Sequence, residues 1–179
     1  MQAGAANPHG PVWSQVDYGR QFRERMSGPR LSQESHAVRM SHFTIGAKPG
    51  VLEALTRNST QWVAVRAECD GITYSNAGLR LKGSLTKQDF TGKPSFTLKL
   101  NWREKGQAFH GNGKWHLHNA SYNPSYLNEY LTAWLFKRAG RPAPRVEFAT
   151  VNVNGRPYGL FVCVEGTTKP FLQRTTHST

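Results

Sequence analysis

The sequence predicts an α+β fold, built from a mainly antiparallel sheet and one major helix. Two hairpin signals favour antiparallel strands, because Asp70-Gly71 and Asn154-Gly155 each separate two runs rich in β-branched and aromatic residues. One segment, from about Pro124 to Ala139, repeats apolar residues at helical spacing over several turns. Strands grouped around a single long helix are typical of the α+β class.

Residues 1–36 differ in composition from the rest of the chain. They are rich in Gly, Pro, Ser, Gln and Arg without sustained periodicity, which predicts a flexible tail or linker before a domain over residues 37–179. The start lacks the basic-then-apolar pattern of a secretory signal, and no segment has the roughly 18 consecutive apolar residues of a membrane helix. We therefore expect no transmembrane segment, and either a cytoplasmic protein or a chain without its natural start.

The first part of the predicted domain consists of strands and one short helix. A strand is expected over 38–45, a helical stretch over 50–58, and a hairpin formed by strands over 62–70 and 72–82. The sequence Ser75-Asn76-Ala77-Gly78 predicts a bulge in the last of these strands.

The segment after the polar loop 83–94 alternates cleanly. Phe96, Leu98 and Leu100 point one way and polar residues the other, which predicts a half-buried strand. A short alternating strand is expected from Lys114 to His118.

The major helix is predicted with Asn123 as its cap, Pro124 in its first turn and Gly140 just beyond its end. Its apolar residues form a broad face at helical spacing: Tyr126, Leu127, Tyr130, Leu131, Trp134 and Leu135. A second hairpin over 146–153 and 158–164 follows, and another helix is expected to begin at Pro170.

The charge of the chain indicates an anionic partner. Lys and Arg number 23 against 11 acids, for a net charge of +12. Such an excess suits a nucleotide phosphate, an acidic protein, nucleic acid or an anionic surface, and equally a solvated basic surface without a ligand.

Cysteine and histidine spacing predicts neither a disulfide framework nor a metal centre. Cys69 and Cys163 lie in apolar, strand-like runs, which favours two buried free thiols and leaves a single disulfide open. His116 and His118 share a strand face, but no third ligand follows at a suitable spacing.

Four sequence blocks resemble the CotH kinase family, named for a spore-coat protein. They are Gly78-Leu-Arg-Leu-Lys-Gly83, Lys93-Pro-Ser-Phe-Thr-Leu-Lys-Leu100, the pair Trp115-His-Leu-His-Asn119 and Asn123-Pro-Ser-Tyr-Leu-Asn-Glu-Tyr-Leu131, and the run from Pro142 to Glu165 around Asn154-Gly155. Their order and spacing carry the resemblance from Gly78 to Leu172.

The resemblance implies the N-lobe of an atypical protein-kinase-like fold. It also implies ATP with Mg or Mn as cofactors, and Ser-containing proteins, such as spore-coat proteins, as phosphate acceptors. Many relatives are spore-coat, surface or secreted proteins, although the compartment of this chain stays undetermined.

Four cations are the candidates for binding nucleotide phosphates. Arg80 and Lys82 alternate with leucines and share one strand face, and Lys93 and Lys99 share a face of the next strand. If the two strands are neighbours, these cations converge on a polyphosphate, which phosphoryl transfer requires. The alternative is a basic sheet surface that faces solvent.

Two carboxylates complete the candidate site. By analogy with kinase-like folds, Glu129 on the major helix pairs with Lys82, Lys93 or Lys99, or else it simply favours the helix N-terminus. Glu165 ends the last strand, where the family resembles the connector between lobes and a nucleotide base docks against the backbone. A plain strand-end role is the alternative for Glu165.

The lack of acidic residues after the last predicted strand is the main departure from an active kinase. The family's metal-binding and catalytic Asp residues lie in its C-terminal lobe, yet no Asp or Glu follows Glu165 in this sequence. We therefore expect the N-terminal part of the kinase domain, truncated at its C-terminus and inactive by itself.

Two other functions stay open, and a third is less favoured. A non-catalytic surface or interaction module on the same fold fits the resemblance. A basic nucleic-acid-binding domain fits the charge and the five Trp, although no nucleic-acid motif is present and the aromatic residues fit core positions. A serine, cysteine or acid-pair hydrolase is less favoured than either, because the sequence has no Gly-Xaa-Ser-Xaa-Gly elbow and its acids are too sparse for a general acid/base pair.

Overall fold

A computed structural model describes residues 40–83 and 88–176. The predicted tail, the first residues of the first predicted strand and part of the polar loop 83–94 lie outside these residues. None of the helices in the described ranges is long and apolar enough to span a bilayer.

Seven strands form a closed barrel in the order β1-β2-β3-β4-β5-β7-β6. The strands are β1 Met40–Gly46, β2 Val63–Cys69, β3 Ile72–Lys82, β4 Ser95–Lys99, β5 Lys114–His118, β6 Val146–Val153 and β7 Arg156–Glu165. Strand β1 closes the barrel by pairing in parallel with β6, and the other six pairs are antiparallel. Closure leaves no strand of the barrel with an unpaired edge.

Three short helices accompany the barrel in the described residues: α1 Val51–Arg57, α2 Asn128–Arg138 and α3 Lys169–Thr176. The α+β class and the predominance of antiparallel pairing are confirmed. The closure of the sheet by the parallel β1–β6 pair was not predicted, because no local signal in the sequence encodes a contact between its two ends.

Both predicted hairpins are confirmed by their turn geometry. Asp70 and Gly71 have φ values of 47° and 83°, and Asn154 and Gly155 have values of 51° and 83°. Two successive residues with positive φ are what a type I′ turn requires. The predicted bulge is also present, since the register between β2 and β3 shifts between Val65 and Ala67 and leaves Asn76 with a φ of 53°.

Strand β4 is buried more completely than its pattern predicted. Phe96, Leu98 and Leu100 are fully buried in the core, as expected. Thr97, on the opposite face, is also 0% exposed. It lies opposite Arg80 on one side and His116 on the other, so longer neighbouring side chains cover it.

Helix α2 differs most from the prediction. It begins at Asn128, four residues after Pro124, because Tyr126 has a φ of 60° and interrupts the helical backbone. Asn123 does not cap it: its side-chain oxygen accepts a hydrogen bond from the Ser125 hydroxyl at 2.7 Å.

The apolar face predicted for α2 is also largely exposed. No residue of the helix is fully buried, and Leu131 and Leu135 are each 48% exposed. The helix contacts the barrel where Tyr130 stacks on Phe148, with ring centroids 6.0 Å apart. Helical spacing indicates an apolar side, but it carries no information about whether a neighbouring surface covers that side.

The core fills the inside of the barrel. Its largest fully buried side chains include Trp115, Phe43, Phe96 and Phe161. Cys69 and Cys163 are buried free thiols, as predicted, and burial raises the pKa of each thiol. Because the aliphatic and aromatic residues of β3, β4 and β5 point into this core, the alternate residues of those strands are left on the outer surface.

Candidate functional site

Strands β3, β4 and β5 are neighbours and bring most of the candidate cations together. Arg80 lies opposite Thr97, and Thr97 lies opposite His116. One row further along, Lys99 lies opposite Lys114. We call the outer surface of these strands the basic face, made up of Arg80, Lys82, Thr97, Lys99, Lys114, His116 and His118.

The Lys99–Lys114 pair forms no ion pair with any acidic residue in the part of the chain that the structure describes. Among the described residues, no carboxylate forms an ion pair with Arg80, Lys82, Lys99 or Lys114. Like charges directly opposite each other on a sheet are destabilising. An anion bound to the basic face would remove this repulsion.

Lys82 is held by a histidine. Its ammonium nitrogen lies 2.8 Å from Nε2 of His118, and Nδ1 of the same ring lies 3.2 Å from Oε1 of Glu129. Because a carboxylate only accepts hydrogen bonds, Nδ1 carries the proton in this arrangement, and Nε2 is free to accept from Lys82. The three side chains therefore form one hydrogen-bonded chain from β3 through β5 to α2.

Burial and neighbouring charges lower the pKa values of Lys82 and His118. Burial lowers the pKa of Lys82, and nearby Lys114 and Arg80 lower it further, while Glu129 opposes them. Burial also lowers the pKa of His118, with a further contribution from Lys82, against the hydrogen bond and charge of Glu129. In both groups burial is the largest cause, and neighbouring positive charges lower the pKa further.

His116 is neutral at physiological pH. Burial, followed by the charges of Lys82 and Lys114, lowers the pKa of His116 to about 3. Its Nδ1 lies 2.9 Å from the hydroxyl oxygen of Thr97. His116 therefore contributes a polar, uncharged surface between the cations.

Two tryptophans border the basic face. The guanidinium of Arg80 lies 4.9 Å from the ring centroid of Trp62, a cation–π contact. Gly78 lies under both indoles, since a Cβ there would be 2.7 Å from Trp102 and 2.9 Å from Trp62. The missing side chain lets the rings lie close against the sheet.

The structure places Lys93 apart from this grouping. It precedes β4, and its ammonium group donates to the Leu160 carbonyl at 2.6 Å and to the Tyr126 hydroxyl at 2.9 Å. It also lies 4.8 Å from the ring centroid of Phe161, a core residue. Lys93 therefore does not share a strand face with Lys99, and its hydrogen bonds join the loop before β4 to β7.

Glu165 is a buried structural carboxylate. It is 4% exposed and accepts hydrogen bonds from the Asn112 amide and the Arg145 backbone N–H, each at 2.9 Å. Arg174 of α3 forms an ion pair with it. The backbone N–H of Glu165 donates to the Arg145 carbonyl, so this group is also engaged within the fold.

Beside the basic face lies a cleft of about 520 Å³ between α2 and the outer surface of β6 and β7. Most of its lining is apolar: Ala133, Phe136, Pro142, Pro144, Val146 and Val164. Val164 lies directly opposite His116, and Glu129 lines the cleft while it contacts His118. The cleft and the basic face are therefore continuous.

Sequence reasoning missed the cleft and the role of His118. The apolar residues of the cleft come from separate segments of the chain, and only the fold brings them together. His118 was considered as a metal ligand, whereas its ring nitrogens are both engaged with Lys82 and Glu129. The alternation of Lys114, His116 and His118 on one strand was the available signal for their common face.

The described residues do not provide a site for a divalent metal. They contain no group of three His, Cys, Asp or Glu side chains close enough to share an ion. The carboxylates of Glu129 and Glu165 are already hydrogen-bonded to protein groups. The oxygen-rich donor set that Mg²⁺ prefers is thus not assembled by these residues.

A comparison of the sequence with known protein families identifies the family of this chain. A family model described as CotH kinase protein matches residues 79–179, which are 101 of the 179 residues. The chain belongs to the CotH kinase family. The match covers every member of the basic face and all the residues that line the cleft.

Membership of the CotH kinase family agrees with the architecture. The closed barrel with α2 against it is similar to a kinase N-lobe, as the resemblance implied. Strands β1 and β2 and helix α1 precede the matched region. A search of curated proteins found no matching relative.

Proposed function

We propose that this chain is the nucleotide-binding part of a CotH-like protein kinase. In this proposal, the basic face receives the phosphates of ATP and the adjacent cleft receives the base. The observation that supports it most directly is the continuity of the two surfaces, since Val164 of the cleft lies opposite His116 of the basic face.

The arrangement of cations suits a linear polyphosphate. Neighbouring strands lie about 4.8 Å apart. The cations occupy three successive rows of the basic face, with Lys99 and Lys114 in one row, Arg80 in the next and Lys82 in the third. Lys82, Lys99 and Lys114 offer point charges, and the planar guanidinium of Arg80 can contact two phosphate oxygens at once. A bound phosphate would also favour the charged form of Lys82, whose pKa burial and like charges lower.

The cleft has the composition of a small-molecule site. Its walls are mostly aliphatic and proline side chains, with Thr132 and Asn128 as polar groups at its edge. Pockets of this kind bind planar apolar rings and use a few polar groups to orient them.

Family membership implies ATP, Mg or Mn and an acceptor protein rich in Ser, and the basic face with its adjacent cleft supports the nucleotide part of this expectation. Since no Asp or Glu follows Glu165, we expect the 179-residue chain to bind nucleotide without transferring phosphate. A non-catalytic interaction module on the same fold would also lack transfer, and nucleotide binding distinguishes it from the proposed function.

Isothermal titration calorimetry with ATP tests the proposal. We expect Lys82→Met and Lys114→Met each to raise the Kd of ATP by about tenfold, equivalent to about 1.4 kcal/mol. Lys48→Met, in the exposed segment after β1, is the matched control and should leave the Kd unchanged. An unmodified chain that binds no ATP, or an equal loss in the Lys48→Met variant, would contradict the proposal.

Two further measurements separate the alternatives. Tighter binding to random single-stranded oligonucleotides than to ATP, with a steep salt dependence, would favour the nucleic-acid function. An assay with labelled ATP and a Ser-rich acceptor tests the expected inactivity, and metal-dependent turnover by this chain would refute that part.

A further inference from the structure

We infer that His118 is a positioning residue, interposed between Glu129 and Lys82 so that the lysine keeps its full charge for the phosphates. The inference rests on the proposed function for its consequence, but the bridge itself is a property of the protein without nucleotide. It is carried by two contacts: Lys82 Nζ to His118 Nε2 at 2.8 Å, and His118 Nδ1 to Glu129 Oε1 at 3.2 Å.

The bridge differs from the arrangement expected for kinase-like folds. There, a helix carboxylate forms an ion pair directly with the strand lysine that contacts the phosphates. Among the described residues, Glu129 is hydrogen-bonded to His118 and forms no ion pair with Lys82. The carboxylate is further held by the Asn123 side chain, whose amide nitrogen lies 3.5 Å away.

A neutral imidazole affects the lysine differently from a carboxylate. It accepts one hydrogen bond from Lys82 and leaves the positive charge and two N–H groups available. A carboxylate in the same place would neutralise that charge and compete with phosphate for it. His118 thereby fixes the lysine on the basic face while it keeps the Glu129 carboxylate occupied.

The bridge also connects phosphate binding to pH. Among the described residues, the titratable groups that contact His118 are Lys82 from β3, His116 from β5 and Glu129 from α2. The charges of Arg80 and Lys114 act on its neighbours Lys82 and His116. A protonated His118 still donates to Glu129, but its Nε2 no longer accepts from Lys82. It adds one cation to the face and releases the lysine, so affinity for phosphate should rise as pH falls through the pKa of His118.

Nuclear magnetic resonance of the nucleotide-free protein tests the bridge itself. We expect the His118 ring to carry its proton on Nδ1 at pH 7.5. Lys82→Met should raise the pKa of His118, because it removes a nearby cation, and Glu129→Gln should lower it, because it removes the favourable carboxylate. His116→Gln is the matched control and should leave the tautomer of His118 unchanged. A His118 ring protonated on Nε2, or one whose titration is the same in both variants, would overturn the inference.

Calorimetry with ATP then tests the consequence. His118→Gln keeps a neutral acceptor and donor in place and should bind ATP within about twofold of the unmodified chain at pH 7.5. His118→Leu removes both and should weaken binding by about tenfold, as the freed Glu129 competes for Lys82.

The pH profile gives a reading that a merely structural role would not change. The ratio of the Kd values for His118→Gln and the unmodified chain cancels the titration of ATP. We expect this ratio to rise at least threefold from pH 7.5 to 5.5. A constant ratio would refute the pH coupling. If no variant bound ATP, the proposed function would be refuted, and the hydrogen-bonded bridge would then be tested by nuclear magnetic resonance alone.

Discussion

The side-chain amide of Asn112 donates a 2.9 Å hydrogen bond to the buried carboxylate of Glu165. The same amide nitrogen donates to the Gly166 carbonyl at 3.0 Å, and the amide oxygen accepts from the Lys114 backbone N–H at 3.0 Å. Asn112 is 0% exposed. One side chain thus joins the start of β5, which carries much of the basic face, to the end of β7.

Removal of this amide should destabilise the barrel. Asn112→Ala leaves the Glu165 carboxylate and the Gly166 carbonyl short of donors in a buried place, at a cost of about 2–3 kcal/mol. Urea denaturation measures the loss. Asn128→Ala, at the exposed start of α2, is the control and should change the free energy of unfolding by less than about 0.5 kcal/mol. Equal losses in the two variants would show that the buried hydrogen bonds of Asn112 add no more to the free energy of unfolding than an exposed side chain does.

Gly78 should tolerate no side chain. A Cβ at this position would lie 2.7 Å from Cγ of Trp102 and 2.9 Å from Trp62, so Gly78→Ala must displace at least one indole. We expect a loss of about 1–3 kcal/mol and a change in tryptophan fluorescence. Gly46→Ala is the matched control, because a Cβ there would meet its nearest atoms at 3.9 Å. An unchanged emission spectrum in Gly78→Ala would contradict the packing described.

The cleft and the basic face should bind different parts of ATP, so a ligand without the base should bind independently of the cleft. Thr132→Trp places a large side chain at the cleft, and we expect it to weaken ATP at least fivefold while inorganic tripolyphosphate binds as before. Leu131→Trp, on the exposed side of α2, is the control and should affect neither ligand. Calorimetry with both ligands gives the comparison. If Thr132→Trp weakened tripolyphosphate equally, the two surfaces would not be separate subsites.

Local features of the fold were readable from the sequence, because short-range physics determines them. The Asn154-Gly155 turn needs positive φ at two residues, and few residue pairs accept this. The alternation of Arg80 and Lys82 with leucines likewise fixed their common face. Helix α2 was placed less well, since the left-handed backbone at Tyr126 has no signature in the sequence.

The site itself depends on long-range contacts that no local pattern encodes. Lys93 has the spacing of a strand residue, yet its ammonium group donates a hydrogen bond to the carbonyl of Leu160, 67 residues away in sequence. The carboxylate of Glu165 is enclosed by Asn112, Arg145 and Arg174, which no local pattern indicated, and the docking of a nucleotide base against its backbone stays a prediction. Such partners become apparent only when the barrel closes and determines which strand ends meet.

His116 should make the protein less stable in mild acid. Its pKa in the folded protein is lowered to about 3, against 6.5 ordinarily, so the unfolded chain binds a proton that the folded protein does not. The stability contribution is therefore complete above pH 6.5 and is lost progressively as pH falls from 6.5 towards 3. Between pH 6.5 and 5 we expect this residue to account for about 1–2 kcal/mol of lost stability, measured by urea denaturation.

The variant His116→Gln isolates this contribution, because glutamine keeps a polar side chain beside Thr97 and does not titrate. Its free energy of unfolding should fall less than that of the unmodified chain between pH 6.5 and 5. His118→Gln is the comparison and should recover less, since Glu129 opposes the lowering of the pKa of His118. Identical pH dependence in His116→Gln and the unmodified chain would show that His116 accepts its proton in the folded state as readily as in the unfolded chain.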